Sequence, residues 1–210
     1  PPYQPKKLLV IGGGYIATEL GHFYGAFDTN VEFIVRSGMV SAEDSEIQEE
    51  FTKAFMSRYT VHLGTKIQSI EYERGVFFVK IIDANGNVQQ LHGDALLVAT
   101  GIRPNTDTLA LENTDIRLTE HGFIEVDDRL RTSVPNIWSL GDCIGKYFFR
   151  HSVNFEGEYL FRTLIEDPAD EAINYPPMPH AIFSYPQVAG VGKTEDELKA
   201  DGVDYIVGRN

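Results

Sequence analysis

The chain has 210 residues, and 31 Asp and Glu against 18 Lys and Arg leave a formal net charge of −13 at pH 7. That balance excludes the basic face needed for nucleic acid, and 42% hydrophobic with 23% charged residues exclude disorder and fibrous repeats. The single cysteine, Cys143, excludes an intrachain disulfide, a dithiol redox pair and a four-thiolate zinc site within these residues.

No apolar run approaches the roughly 18 residues of a membrane span. PPYQPKK is followed by no signal-peptide core, so the cytoplasm is the expected compartment and no membrane partner is expected. The start also reads as an internal one, and the chain is expected to be a segment of a longer protein.

In chain order, an apolar run Leu8 to Ile11, three glycines, a helical stretch from Tyr15 to about Phe27 and a second apolar run Val31 to Val35 predict a βαβ unit. Ser41 to Arg58 predicts a second crossover helix, with Ile47, Phe51 and Phe55 on one stripe and an N-cap in its Ser/Asp-rich start. From Val61 the pattern turns to short β runs. Val76 to Ile82 and Val88 to Leu91 flank the turn Asp83 to Asn87, whose Asn85-Gly86 pair is a hairpin signal. An antiparallel meander is thus expected before a strand Ala95 to Ala99 that rejoins a parallel sheet.

A Gly101 to Asn105 loop ends that strand. Residues 106–135 read as loop and short strand, Asn136 to Leu140 as a brief strand, and His151 to Ile165 as helix. Prolines between Asp167 and Pro179 suggest a linker, and Ala181 to Val191 a new strand and turn. The fold class expected is α/β, a Rossmann-like parallel sheet with an inserted antiparallel β-meander.

Gly12 to Ala17 satisfies G-x-G-x-x-A, with Gly21 further along the helix. Glycines permit a sharp strand-to-helix turn and let a pyrophosphate approach helix N–H groups, where the dipole favours negative charge. A glycine-rich turn without a ligand is the structural alternative. At the end of the second strand, where an acid would select NAD, stand Arg36 and Ser37. A guanidinium pairs with a 2′-phosphate, which points to NADP over NAD; a solvated arginine is the alternative, and the acids that follow oppose phosphate. Glu19 shares a helix face with Tyr15. Asp142, before a predicted helix, reads as an N-cap or a ligand, and His151 as a capping or solvated residue. His22, His62, His92, His121 and His180 show no metal-ligand spacing, so no metal is expected. There is no G-x-S-x-G elbow for a hydrolase.

Four motifs occur in order: GGGYIATELG, LLVATGIRPNT (Leu96 to Thr106), TSVPNIWSLGDC (Thr132 to Cys143) and FSYPQVAGVGKTEDEL (Phe183 to Leu198), with HSVNFEGEYL from His151 as a fifth. Together they resemble the FAD-dependent pyridine nucleotide-disulfide oxidoreductases, the family of dihydrolipoamide dehydrogenase, mycothione reductase and glutathione reductase. For NAD(P), the resemblance implies that Gly12, Gly13 and Gly14 line the pyrophosphate with Ile16 beside them, and that Tyr15 covers the nicotinamide pocket. It further implies that Glu19 and the Ala181 carbonyl meet the carboxamide, and that backbone at Gly101 passes beside the cofactor. For FAD, it implies that Gly141 and Asp142 hold the ribityl chain while Arg150 and His151 open a helix facing the flavin pyrimidine.

The implied organisation is an NAD(P)-binding domain over 1–115, a central segment completing the FAD-binding domain over 116–173, and the start of an α+β dimer-interface domain over 174–210. The implied activity is hydride transfer from NAD(P)H to FAD and on to a disulfide, a small molecule or a protein-bound lipoyl group, in a homodimer. The family's C-x-x-x-x-C pair and H-x-x-x-x-E pair are not in this sequence, and Cys143 matches a small buried filler, so no catalytic residue is expected in this chain. An NADH oxidase or peroxidase, or a non-catalytic dinucleotide-binding module, are the alternatives.

Overall fold

In the computed structural model, which describes residues 3–209, the chain divides into two compact units. The first takes the residues up to Thr100 together with those from Pro179 onward; the second is Gly101–Met178.

The first unit is built on four parallel strands: β1 (Lys7–Ile11), β2 (Asn30–Val35), β3 (Thr60–Leu63) and β7 (Ala95–Val98), in the spatial order β3-β2-β1-β7. Helices α1 (Tyr15–Ala26) and α2 (Ser45–Met56) make the crossovers. The central strands are apolar on both faces because both are covered. Leu8, Val10, Phe33 and Val35 pack with Ala17 of α1 and Phe51 and Phe55 of α2. Leu9, Ile11 and Ile34 pack with Val79, Ile81 and Leu91. These last three belong to the meander β4 (Lys66–Glu73), β5 (Val76–Ile82) and β6 (Val88–Gly93), which pairs antiparallel in that order.

The β5–β6 turn closes as the Asn-Gly signal predicts. Gly86 takes φ 84°, and the Asp83 carboxylate accepts from the Asn85 and Asn87 N–H groups at 2.9 and 2.8 Å. Those bonds, led by the Asn87 side-chain amide, hold the Asp83 carboxyl below the ordinary range.

The C-terminal residues join this unit. β8 (Pro179–Ile182) and β9 (Val188–Val191) form a hairpin whose Ile182 and Val188 enter the α1/α2 core. After it comes α4 (Glu195–Ala200), started by a Thr194/Glu197 capping box. Asp44 departs from the expected pattern. It sits at the N-cap position of α2 but makes no cap bond there; its Oδ1 instead accepts from the Glu195 N–H at 2.6 Å. The carboxylate serves the donor-rich start of another helix, which attracts it equally well.

The second unit is mostly irregular. Its one long helix, α3 (Arg150–Phe161), runs into a π-helical turn over Arg162–Glu166. The strand expected over Asn136 to Leu140 does not form: Asn136 has φ 64° and Trp138 makes only an isolated bridge to Arg131. The Val134-Pro135 turn, closed by the Ile137 N–H on the Val134 carbonyl at 3.3 Å, breaks the extended run. The proline-rich stretch is tied down rather than loose. Asp170 pairs with Arg131, Glu171 pairs with Arg162, and Ile173 N–H donates to the Asp128 carbonyl at 2.8 Å. Among the described residues, no helix is long and apolar enough to cross a membrane.

The close packing of α1 on β2 rests on Gly21, where an added Cβ would lie 2.3 Å from Phe33 Cζ. Gly21→Ala is expected to lower stability by about 1–3 kcal/mol in urea unfolding, and Phe33→Leu in the same chain to recover part of that loss. An unchanged midpoint for Gly21→Ala would show that the helix has room to shift.

Candidate functional site

The glycine loop joins β1 to α1, and each of its glycines is there for its own reason. Gly12 has φ 127°, and a Cβ on it would stand 2.2 Å from the Ala99 carbonyl oxygen. A Cβ on Gly13 would meet the Gly38 carbonyl and Val35 Cγ1, both at 2.8 Å, while one on Gly14 would meet nothing within 4 Å. Two glycines are therefore demanded by neighbouring protein, and the third borders open space. Gly14 supplies no side-chain cap to α1, and the first turn of the helix holds no acid. The leading N–H groups of a helix have no partner inside it, so this end offers donors and a positive dipole outward. Ile16, in that first turn, is 49% exposed despite its size.

The loop is locked from one side by the segment after β2. Val40 N–H donates to the Gly13 carbonyl at 2.7 Å, and Glu43 N–H to the Val40 carbonyl at 2.9 Å. Val40 is fully buried at φ 44°, a conformation that costs a β-branched residue about 1–3 kcal/mol. Arg36 and Ser37, at the end of β2, are exposed.

Glu43 is 7% exposed. Its Oε1 accepts from the Tyr15 hydroxyl at 2.6 Å, and its Oε2 lies 2.9 Å from His180 Nε2. Tyr15 and His180 stack, with ring centroids 5.9 Å apart and planes 21° from parallel. Burial, then the hydrogen bond and charge of Glu43, push the Tyr15 hydroxyl above the ordinary phenol range. The His180 ring seats over Gly190, its cross-strand neighbour, where a Cβ would come within 2.7 Å of the imidazole. Glu19 Oε1 accepts the Phe183 N–H at 2.8 Å. Ala181, half-buried, lies between these residues on β8, paired in register with Ala189. The structure thus groups Tyr15, Glu19 and Ala181 with Glu43, which no sequence motif marks, and with His180, whose sequence context bears only on metal ligation. No spacing pattern marks them, because 137 positions separate one from the other.

In the second unit Gly101 has φ 147° with open space where a Cβ would stand. Gly141 (φ 77°) begins a 3₁₀ turn, Gly141–Ile144, that carries Asp142 exposed to solvent. The buried Glu156 fixes this turn: its Oε2 accepts the Gly141 N–H at 2.6 Å, and its Oε1 the Tyr175 hydroxyl at 2.8 Å. Asp142 is not the N-cap of α3; that position is Phe149, which makes no side-chain cap bond. Arg150 and His151 are exposed in the first turn of α3, with the His151 ring stacked on Phe149 at 5.3 Å. Cys143 is half-buried, its thiol 3.1 Å from the Leu140 carbonyl and 3.2 Å from Ser139 Oγ.

A parallel β3-β2-β1-β7 sheet with its glycine bend at the carboxyl end of β1 and a meander inserted before β7 defines a Rossmann-type α/β protein. The family model described as pyridine nucleotide-disulphide oxidoreductase matches residues 2–159. The chain belongs to that family. Dihydrolipoyl dehydrogenase of Geobacillus stearothermophilus is 36% identical over 208 residues, 98% of this chain and 43% of that protein. The Bacillus subtilis dihydrolipoyl dehydrogenase is 34% identical, over 98% of this chain and 44% of its own. Among solved structures, the HOCl-induced flavoprotein disulfide reductase RclA of Escherichia coli superposes with a TM-score of 0.84 at 26% identity, over 97% of this chain and 46% of that one. LpdA of Mycobacterium tuberculosis shares the fold at a TM-score of 0.82 and 22% identity. The chain thus spans less than half the length of the relatives it matches.

Because the folded state holds the Tyr15 proton more tightly than the unfolded chain does, this contribution to stability is full below about pH 10 and is lost as pH rises through the folded value. Wild-type stability is expected to fall more steeply above that pH than that of Tyr15→Phe, by at most about 1.4 kcal/mol per pH unit. Urea unfolding at several alkaline pH values measures this, and parallel slopes would refute it.

Proposed function

We propose that this chain is the coenzyme-binding part of an FAD-dependent NAD(P)H:disulfide oxidoreductase similar to dihydrolipoyl dehydrogenase. The observation that carries the proposal is the start of α1, bare of any capping side chain or acid behind Gly14, which borders open space. A dinucleotide pyrophosphate fits it, since its charge would meet the helix dipole and its oxygens the loop N–H groups. In this reading Gly12, Gly13, Gly14 and Ile16 hold the pyrophosphate, Glu19 and Ala181 hold the nicotinamide end, and Tyr15 covers that pocket until the nicotinamide displaces it. Glu19 Oε1 serves Phe183 N–H, and a carboxylate with two oxygens retains acceptor capacity for a carboxamide NH₂. Gly101, open at its α-carbon, allows close approach of a ligand.

The residues of the second unit fit the flavin end. Asp142 is exposed on a turn fixed from behind by Glu156, so its acceptors face outward for ribityl hydroxyls. Gly141 permits the turn, and the first turn of α3, with Arg150 and His151 and no acid, favours negative charge on a flavin ring. Bound FAD and NAD(P)H would supply the two-electron chemistry, and the protein the placement and field.

In the same reading residues 1–115 serve the coenzyme, 116–173 complete the flavin site and 174–210 open an interface domain. The disulfide substrate, a small molecule or a lipoyl group, is met by thiols supplied outside these residues, in a cytoplasmic homodimer. Arg36 and Ser37, exposed at the strand end, favour a 2′-phosphate and thus NADPH over NADH.

Calorimetric titration of the chain tests both parts. Binding of NADPH or NADH is expected, and Arg36→Glu should weaken NADPH by about tenfold or more while leaving NADH little changed. Equal effects on both coenzymes would remove the role of Arg36, and no binding of either would remove the site.

A further inference from the structure

The buried carboxylate of Glu43 is not accounted for by coenzyme binding or by the family's site residues. It lies between two aromatic side chains from different parts of the chain, with Tyr15 on one oxygen at 2.6 Å and His180 on the other at 2.9 Å. Its own backbone is fixed twice over. The N–H donates to Val40, whose N–H holds the Gly13 carbonyl, and the Glu43 carbonyl accepts from Gln48 Nε2 at 2.7 Å. Glu43 is therefore a fixed post beside the glycine loop, and Tyr15 is the movable partner, a ring on a side-chain hinge at the first residue of α1.

We propose that Glu43 is a latch. It pins the Tyr15 phenol over the nicotinamide end of the coenzyme site, with His180 stacked against the ring, so the nicotinamide enters only by breaking the Tyr15–Glu43 hydrogen bond. This rests on the coenzyme-binding reading above and adds to it a positioning residue that sets affinity at one end of the ligand alone. The pyrophosphate end, at the Gly12 to Gly14 loop, is held by backbone that the latch does not need to move. The two ends of the dinucleotide should therefore respond differently to loss of the latch, whereas a purely structural defect would weaken both together.

The arrangement of His180 supports a latch over a chance contact. Its ring is admitted only because Gly190 opposite lacks a Cβ, and its imidazole and the phenol of Tyr15 share the two oxygens of one carboxylate. A carboxylate so enclosed needs both donors, which keeps Tyr15 in place until a ligand ring replaces its contacts.

The test is a pair of titrations of the 210-residue chain, with NADH and with ADP-ribose, which has the pyrophosphate but no nicotinamide. Glu43→Gln keeps the shape and leaves a neutral acceptor; Tyr15→Phe keeps the ring and deletes the donor, and serves if the first variant folds poorly. Each is expected to tighten NADH by about tenfold, the worth of a charge-assisted hydrogen bond, with ADP-ribose unchanged. Combined, the two substitutions should tighten NADH no further than Tyr15→Phe alone, because both act through the one Tyr15–Glu43 bond. An NADH to ADP-ribose affinity ratio that is unchanged or lowered overturns the latch while leaving the coenzyme site standing. Failure of wild-type protein to bind ADP-ribose overturns the coenzyme site, and the latch with it.

Discussion

The contact on which the first unit turns is the approach of Gly12 to the Ala99 carbonyl, too close for any side chain. β1 and β7 are neighbours in the sheet, so the chain leaving β1 must bend within the width of one strand spacing. Only a residue without a Cβ and at positive φ makes that bend. Everything downstream inherits its direction: α1 starts where the bend points it, and Ala17 and Gly21 let it lie close on β2. The Gly13 carbonyl then receives Val40 N–H, so the loop after β2 is set by the same bend. Val40 accepts a strained backbone there, which the surrounding packing of fully buried Met39 and Phe33 over-determines.

From that fixed loop follows the most unusual electrostatic feature of the unit. A chain with net charge −13 has every reason to keep its acids in water, yet Glu43 is buried. An unpaired carboxylate in that position would cost several kcal/mol. The cost is offset because the hairpin β8–β9 brings His180 to one oxygen and α1 brings Tyr15 to the other. The C-terminal residues are thereby part of the first unit in a chemical sense as well as a packing one. Asp44, Glu46 and Glu19 reinforce this by receiving Glu195 N–H, Arg209 and Phe183 N–H.

The parallel sheet, the first crossover helix and the meander were legible because their signals are local: continuous apolar runs, a glycine triplet, an Asn-Gly turn. The run at Asn136 to Leu140 misled because apolarity says nothing about whether a neighbouring strand is present, and Pro135 with a left-handed Asn136 had already broken it. Asp44 misled because cap chemistry does not say which helix a carboxylate will cap. Glu43, His180 and Glu156 carried no signal at all. Their significance lies in partners 28, 137 and 15 positions away, and a single sequence contains no trace of such pairings. The positions read from family motifs depended on five short matches in order, a kind of information that physical chemistry alone does not hold.

Glu156 and Asp142 show the same division of labour as Glu43 and Glu19, in the unit that shares none of their elements. One acid of each pair is buried and engaged through both oxygens, fixing a glycine-containing turn or an aromatic ring. The other stands nearer to solvent, on a backbone that the buried acid or the glycine loop has set. Beside the buried Glu156, the Tyr175 hydroxyl is pushed above the ordinary phenol range by desolvation and by its bond to this carboxylate. The Tyr175 proton is therefore held into the alkaline range, and Glu156 keeps this donor on one oxygen while the other fixes the Gly141 N–H. In the proposed flavin-binding role the exposed Asp142 depends on that fixed turn, because an acceptor on a mobile turn would spend its interaction energy on ordering itself.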